Sequence, residues 1–222
     1  MKRQVLVVGL GRFGASVATT LFNQGHEVMA IDHHEQRVQD VMSQVTYAVQ
    51  ADATNEAALR ELGAANFDLA VVATGIDIQS SLLSTVLLQR MGLQEVVARA
   101  QNEIHGLTLE KIGAHRIIYP EKEAGERLAH NISFPDVVDY MELGPGYGLS
   151  KFTVPPSAIG KTLEEADLGA GSSSGLTVLV ILRGNDVTLT PDRFERIQEG
   201  DILVVTGSDE QLERFEAPGS NG

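Results

Sequence analysis

The feature that most constrains this chain lies within its first fourteen residues. Val5-Leu6-Val7-Val8 is an apolar run of strand length, and Gly9-Leu10-Gly11-Arg12-Phe13-Gly14 follows at once. Ala15 to Leu21 is then compatible with a helix. Strand, glycine turn and helix in that order are the context in which a GxGxxG spacing points to a dinucleotide-binding fold. Each glycine has its own reason. Gly9 permits the tight turn, Gly11 lets backbone approach a phosphate, and Gly14 lets helix pack close on strand. The helix N-terminus then offers free N–H groups and a positive dipole end to an anion.

The alternation continues along the chain. Apolar runs recur at Val28–Ile31, Tyr47–Val49, Leu69–Val72, Val96–Ala98 and Ile117–Ile118. Between them lie stretches of helical periodicity, and Leu82, Leu83, Val86, Leu87 and Arg90 fall on one helical face. Short buried strands alternating with helices predict a parallel sheet covered on both sides. Six such strands predict a complete Rossmann-like, doubly wound α/β sheet.

Ligands of such sheets bind beyond the carboxyl ends of the strands. The second run ends at Asp32, where an acid accepts hydrogen bonds from the adenosine ribose and repels a 2′-phosphate. The third ends in Asp52-Ala53-Thr54; Asp52 either caps the helix starting near Asn55, in competition with Thr54, or lines the adenine pocket. The fourth ends in Ala73-Thr74-Gly75, a small-residue turn that lets backbone lie against a ring. The fifth ends at Arg99, and the sixth runs into Pro120-Glu121-Lys122.

A helix is predicted from Glu121 to about Ile132, with Ala124, Leu128, Ala129 and Ile132 on one face. Pro135 suits the first turn of a new short helix, and Gly144-Pro145-Gly146-Tyr147-Gly148 is a dense cluster of breakers. The expected organisation is a nucleotide-binding domain with a crossover helix over 1–133 and a helical connector over 134–148. A small α+β domain over 149–217 and a frayed tail over 218–222 complete it. In the small domain, strands are predicted at Ser150–Val154, Leu176–Leu182 and Asp201–Thr206. A hairpin turns at Arg183-Gly184-Asn185-Asp186, and short helices are predicted at Leu163–Leu168 and Asp209–Phe215. A module of about 70 residues has a marginal core, so dimerisation or support from its neighbour is expected.

Several chemistries are disfavoured. The chain has no cysteine, which removes disulfides and thiolates and fits a reducing compartment. A formal net charge of −13 makes it a poor binder of nucleic acid or an anionic membrane surface. No apolar run is long enough to cross a bilayer, and no secretion leader is expected. A dehydrogenase needs an acid, base or orienting arginine beyond the nicotinamide, and the small domain groups none. His33 and His34 read as exposed loop residues; His26, His105, His115 and His130 read as scattered surface residues without metal-ligand spacing. Gly171-Ser172-Ser173-Ser174-Gly175 matches GxSxG but precedes a strand, so it reads as a flexible loop instead of a nucleophile elbow.

Two charged residues leave alternatives open. Arg12 inside the glycine loop either reaches phosphate oxygens, as ADP, ATP or a neighbouring subunit's phosphate would need, or points to solvent. Glu121 either holds a cation such as Mg²⁺ beside phosphates or answers the dipole of its own helix.

Taken in order, the Gly9–Gly14 loop, Asp32, Asp52-Ala53-Thr54, Arg99-Ala100-Gln101-Asn102, and Ile112-Gly113-Ala114 running into Pro120-Glu121-Lys122 resemble the RCK (regulator of potassium conductance, or KTN) family. Within it the chain is most similar to the KtrA/TrkA-like cytosolic subunits of bacterial potassium uptake systems. The resemblance covers nearly the whole chain and implies a non-catalytic gating subunit. Such subunits dimerise through the N-terminal lobe and crossover helices. The dimers assemble into an octameric ring at the inner face of the membrane, under a KtrB/TrkH-like potassium-translocating partner, without entering the membrane themselves. It implies ATP and ADP as ligands, with NAD(H) as the TrkA-like alternative. Arg12 would meet the terminal phosphates of the neighbour's ATP, and Glu121 would help hold Mg²⁺ or Ca²⁺ there. Some C-terminal lobes of the family bind cyclic di-AMP; the glycine- and serine-rich stretch Asp167 to Thr177 carries no arginine and departs from that pattern.

Overall fold

A computed structural model of the chain describes residues 2–75, 77–133, 137–169 and 171–216. The chain divides into two compact units, residues 1–122 and 123–222. The predicted break after residue 133 therefore falls earlier, just inside the helix that follows Pro120.

The first unit grows from β1 (Gln4–Val8), which is buried on both faces from Val5 onward. The other strands are β2 (Glu27–Asp32), β3 (Tyr47–Gln50), β4 (Leu69–Val72), β5 (Val96–Arg99) and β6 (Arg116–Ile118). They form one sheet in the order β3-β2-β1-β4-β5-β6, with every pairing parallel. This is a doubly wound sheet, the predicted fold class, and its order reverses direction between β1 and β4. One side packs Leu6, Val8, Ile31, Val72, Leu88 and Leu109; the other packs Val5, Val7, Ala18, Val28, Val38 and Val71. Alternate residues of β1 thus feed two separate cores, as a strand with period two must when helices cover both faces.

The helix α1 (Arg12–Asn23) crosses the turn at very short range. Gly9 sits at φ +90 and its N–H donates to the Ile31 carbonyl at 2.8 Å. A Cβ placed on Gly14 would lie 1.8 Å from the Gly9 carbonyl oxygen. No side chain fits there, so the packing role expected of Gly14 is steric and absolute. Gly11 faces open space, the complementary condition for a ligand's approach.

The helices α2 (Glu35–Val41) and α3 (Glu56–Glu61) follow β2 and β3. The next, α4 (Ile78–Arg90), departs from its predicted face. Its buried residues are Ser81, Ser84, Thr85 and Leu88, whereas Leu83 is 43 % exposed. Small hydroxyl residues let the helix lie close to the bulky sheet, so the apolar spacing marked a flank and not the inner face. The helix α5 (Glu103–Lys111) then leads to β6. His105, predicted at the surface, is buried at 3 % exposure on α5, and burial pushes its imidazole pKa down. Its Nδ1 accepts the Gln101 N–H, as His115 Nδ1 accepts that of Val96 and His26 Nδ1 that of Arg3.

The helix α6 (Pro120–Ser133) carries the chain from the first unit into the second. The second unit holds a five-stranded antiparallel sheet in the order β10-β9-β11-β8-β7. Its strands are β7 (Val137–Gly144), β8 (Tyr147–Thr153), β9 (Thr177–Arg183), β10 (Asp186–Leu189) and β11 (Ile202–Ser208). The α7 helix (Asp209–Glu216) closes it. The helical connector expected over 134–148 is corrected here: residues 137–144 are strand β7, and Pro145-Gly146 is the turn that pairs it with β8. The cluster of breakers marked a hairpin, with Gly146 at φ +75. The short helix expected at Pro135 lies outside the described residues, as does the tail 218–222.

The β9–β10 hairpin turns at Gly184-Asn185, as predicted. The helix predicted over Leu163–Leu168 is a set of turns. Thr162 and Glu165 make a reciprocal capping box, but Asp167 adopts φ 57 and stops the helix within one turn. The Asp167 carboxylate then accepts the N–H and hydroxyl of Ser173 and the N–H of Ser174, so the serine loop is tied down instead of free. Around Phe152, Leu163, Leu168, Ile181, Ile197 and Leu203 this unit has its own core.

Alanine normally stabilises a helix interior by about 1 kcal/mol over glycine. At Gly14 the sign is expected to reverse, because the new methyl overlaps the Gly9 carbonyl. Gly14→Ala should cost about 1–3 kcal/mol, a fall in Tm of roughly 3–10 °C in thermal melts. A raised Tm would contradict the packing described.

Candidate functional site

The strand ends of the first unit open into one cleft of about 700 Å³, at the point where the sheet reverses between β1 and β4. Gly9, Gly11, Arg12, Phe13, Asp32, Asp52, Ala53, Thr54, Thr74, Gly75, Arg99 and Glu121 all line it. Gly14 does not; it lies behind the loop and acts through packing. The sequence missed His33, His34, Arg37, Asp77, Ser80 and Ser84, which also line it. Arg37 and Ser84 carry no motif of their own; they arrive on helices that the motif strands position.

At the near end, Asp32 is 4 % exposed and strongly satisfied. Its Oδ2 accepts the Leu10 N–H at 2.7 Å and an Arg37 guanidinium N–H at 3.3 Å. Its Oδ1 accepts the His34 N–H at 2.9 Å. Burial pushes the Asp32 carboxyl up, but the His34 and Leu10 amides and the Arg37 and His34 side chains outweigh it and hold the carboxyl below its usual range. The glycine loop and the end of β2 are thus joined through one ionised carboxylate.

Next to it, Asp52 does not cap α3. Asn55 does, accepting from the Ala57 and Ala58 N–H groups. Asp52 instead accepts the N–H and hydroxyl of Thr54 at 2.8 and 2.7 Å, which lower its pKa. On the opposite wall Asp77 caps α4 through the Ser80 N–H and hydroxyl.

The far end is different in kind. The Thr74 γ-methyl packs over Gly9, and the Arg99 guanidinium lies against Gly75. Arg99 pairs with Glu121, and the Gln101 amide donates to the Gly75 carbonyl. The partner of Glu121 within the chain is therefore Arg99, not Arg12, and Arg12 has no ion pair among the described residues. Thr74 Oγ1, Ser84 Oγ and Arg99 Nε are buried without a hydrogen-bond partner, and all three residues line the cleft. Buried polar atoms are nearly always satisfied; Ser81 Oγ and His105 Nε2 are also without a partner but do not line the cleft, so the first three are the candidates to meet a group bound there.

Residues 5–120 match the TrkA-N domain family model, and residues 149–218 match the TrkA-C domain. The chain belongs to the RCK family, in its TrkA/Ktr branch. It is 39 % identical over 216 residues to the Ktr system potassium uptake protein C of Bacillus subtilis, covering 97 % of both chains. It is also 39 % identical to the Ktr system potassium uptake protein A of the same organism, covering 98 % of this chain and 97 % of that one. To the Ktr system potassium uptake protein A of Vibrio alginolyticus it is 33 % identical, covering 95 % and 94 %. Among solved structures, the RCK domain of the GsuK channel shares the fold with a TM-score of 0.65 at 18 % identity, covering 97 % of this chain and 47 % of that one. The GsuK channel bound to NAD aligns at a TM-score of 0.55 and 22 % identity, covering 96 % and 38 %. No helix among the described residues is long and apolar enough to cross a membrane.

The Asp32 carboxylate of this RCK chain makes a testable contribution to stability. Its folded pKa lies below the unfolded value of about 3.9. Its stabilisation is therefore fully present above about pH 4 and is lost as pH falls through the folded value. The Tm gap between the native chain and Asp32→Asn should be wide at neutral pH and narrow below about pH 4. A gap that widens on acidification would refute it.

Proposed function

We propose that this chain is a non-catalytic regulatory subunit of a potassium uptake system, and that exchange of ATP for ADP in its cleft switches the conformation of a ring of subunits. The observation that carries the reading is the contrast between the two ends of the cleft. The Asp32 end is filled by internal hydrogen bonds and suits the adenosine ribose of any adenine nucleotide. The Thr74–Ser84–Arg99 end holds unpaired donors and suits the phosphates. The potassium-uptake names of relatives that align along nearly their whole length supply the setting. In that setting the subunit we propose is cytoplasmic, a homodimer that builds an octameric ring beneath a membrane partner.

A ligand shifts a conformational equilibrium only by the difference of its affinities for the two states. ATP and ADP share every contact at Asp32 and Asp52, so those contacts cannot discriminate. The γ-phosphate is the only difference, and it needs positive charge. Arg12 supplies that charge unpaired, at the first turn of α1, toward the phosphates of a neighbouring subunit. Glu121 supplies a ligand for Mg²⁺ or Ca²⁺. Among the described residues no group of three potential ligand side chains includes it. Phosphate oxygens and water would complete the shell, which is the usual way such ions are held beside nucleotides. The Arg99–Glu121 pair stands in for that cation when no nucleotide is bound. A reading with NAD(H) as ligand rests on the same ribose carboxylate.

Calorimetry with ATP, ADP, NADH and NAD⁺, each with and without Mg²⁺ or Ca²⁺, tests the assignment directly. The cation should strengthen ATP binding and leave ADP binding nearly unchanged; preference for NADH would replace this reading by the second. Arg12→Ala should lower ATP affinity by at least about tenfold, the effect of losing one charge-assisted contact, and leave ADP nearly unchanged. Equal losses would remove the γ-phosphate role. Arg99→Gln should weaken cation-free ATP binding and steepen its dependence on Mg²⁺, because Glu121 is then released to the ion.

A further inference from the structure

The adenosine end of the cleft carries a second constellation. His33 and His34 follow Asp32 directly, and both imidazoles turn toward the same carboxylate oxygen. His34 Nδ1 lies 3.2 Å and His33 Nδ1 3.5 Å from Asp32 Oδ1. One ligand atom from each of the three residues lies within 4.8 Å of the other two, and the two rings are tilted with centroids 3.8 Å apart. Successive residues of an extended strand would point to opposite faces; here the chain leaves β2 and brings both rings to one side.

This packing is awkward for hydrogen bonding alone. A carboxylate oxygen has two lone-pair directions. The His34 backbone N–H already fills one of those on Oδ1 at 2.9 Å. His34 Nδ1 takes the other as a hydrogen bond at 3.2 Å, which leaves His33 Nδ1 at 3.5 Å with no direction of its own. With no proton between them, the nitrogen lone pairs would face a negative oxygen. A single cation between the three atoms turns this competition into three bonds of one kind.

The spacing suits such an ion. Zinc bonds of about 2.0–2.1 Å in a tetrahedron put neighbouring ligand atoms about 3.3 Å apart. The two nitrogen–oxygen distances, 3.2 and 3.5 Å, bracket that edge. Two imidazoles and one carboxylate select a borderline transition ion over Mg²⁺ or Ca²⁺, which prefer all-oxygen shells. Arg37 and the Leu10 amide occupy Oδ2, so the carboxylate would bind through Oδ1 alone. The histidine side chains are 67 % and 53 % exposed, which leaves an entry path and a fourth position for water. Asp52 and Asp77 line the same cleft and add negative charge; Arg37 opposes it.

We infer that Asp32, His33 and His34 form a binding site for a divalent transition ion of the zinc type, at the ribose end of the cleft. The ion sits on the carboxylate that faces ribose in the proposed nucleotide site, so metal and adenosine exclude one another. That exclusion rests on the nucleotide reading; the metal site does not.

Co²⁺ is the probe, because a tetrahedral nitrogen–oxygen site gives it visible d–d absorption. Full-length protein, stripped with a chelator and free of nucleotide, is titrated with Co²⁺ and then back-titrated with Zn²⁺. Saturable d–d bands that Zn²⁺ removes are expected, with affinity lowered at least tenfold in His33→Gln/His34→Gln. Both substitutions fall on exposed side chains, and circular dichroism checks that the double variant is folded. Absent bands, or a folded double variant that titrates like the native chain, would overturn the site. Adenosine, which does not chelate the ion appreciably, is added in a second series after calorimetry on metal-free protein. Adenosine that binds and weakens Co²⁺ supports the shared carboxylate, and adenosine that binds and leaves Co²⁺ unchanged would overturn the exclusion. Adenosine that fails to bind would count against the nucleotide reading, with the metal site still decided by the first titration.

Discussion

The first unit depends on the contact between Gly14 and the Gly9 carbonyl. That approach is closer than any side chain permits. It sets the height of α1 above β1, and with it the direction of the Leu10 N–H, which reaches the Asp32 carboxylate on the neighbouring strand. The same turn presses Gly9 against the Thr74 methyl at the end of β4. Three strand ends are therefore indexed to one another through a single steric fit. A cleft indexed in this way is preformed, and preformed sites lose less entropy on binding.

Within the cleft, satisfaction falls from one end to the other. Asp32 is surrounded by donors that hold it ionised and fixed. Thr74, Ser84 and Arg99 keep buried atoms unpaired. On the proposed nucleotide reading, the first arrangement would grip whatever is common to the ligands, and the second would leave energy to be gained by the one that reaches farther. Recognition and discrimination would then be separated in space.

Much of this was legible in the sequence, for a physical reason. Strands β1, β2 and β4 bury residues on both faces and β5 buries one face with Val97 half-buried on the other; all four read as short unbroken apolar runs, and the glycine loop admits one geometry. The residues lining the cleft follow from strand ends, so twelve of the thirteen named from the sequence meet there. The rest was hidden where pattern and burial part company. The polar inner face of α4 looks like a solvent face, because hydroxyls do not announce close packing. Strand β7 exposes Val138, Met141 and Leu143, so its apolar residues gave no inward period, and its glycine turn looked like a linker. The Arg99–Glu121 pair joins residues 22 apart, and nothing local in either segment predicts it.

The boundary between the units falls one residue beyond Glu121, inside α6. A helix of 14 residues is about 21 Å of stiff rod. Its first turn carries the Glu121 carboxylate that lines the cleft, while eleven of its residues, from Glu123 on, belong to the other unit. A cut or a flexible insertion between Lys122 and Glu123 would therefore break helical hydrogen bonds and not a loop, so the boundary is a place where neither unit's chain is free to end.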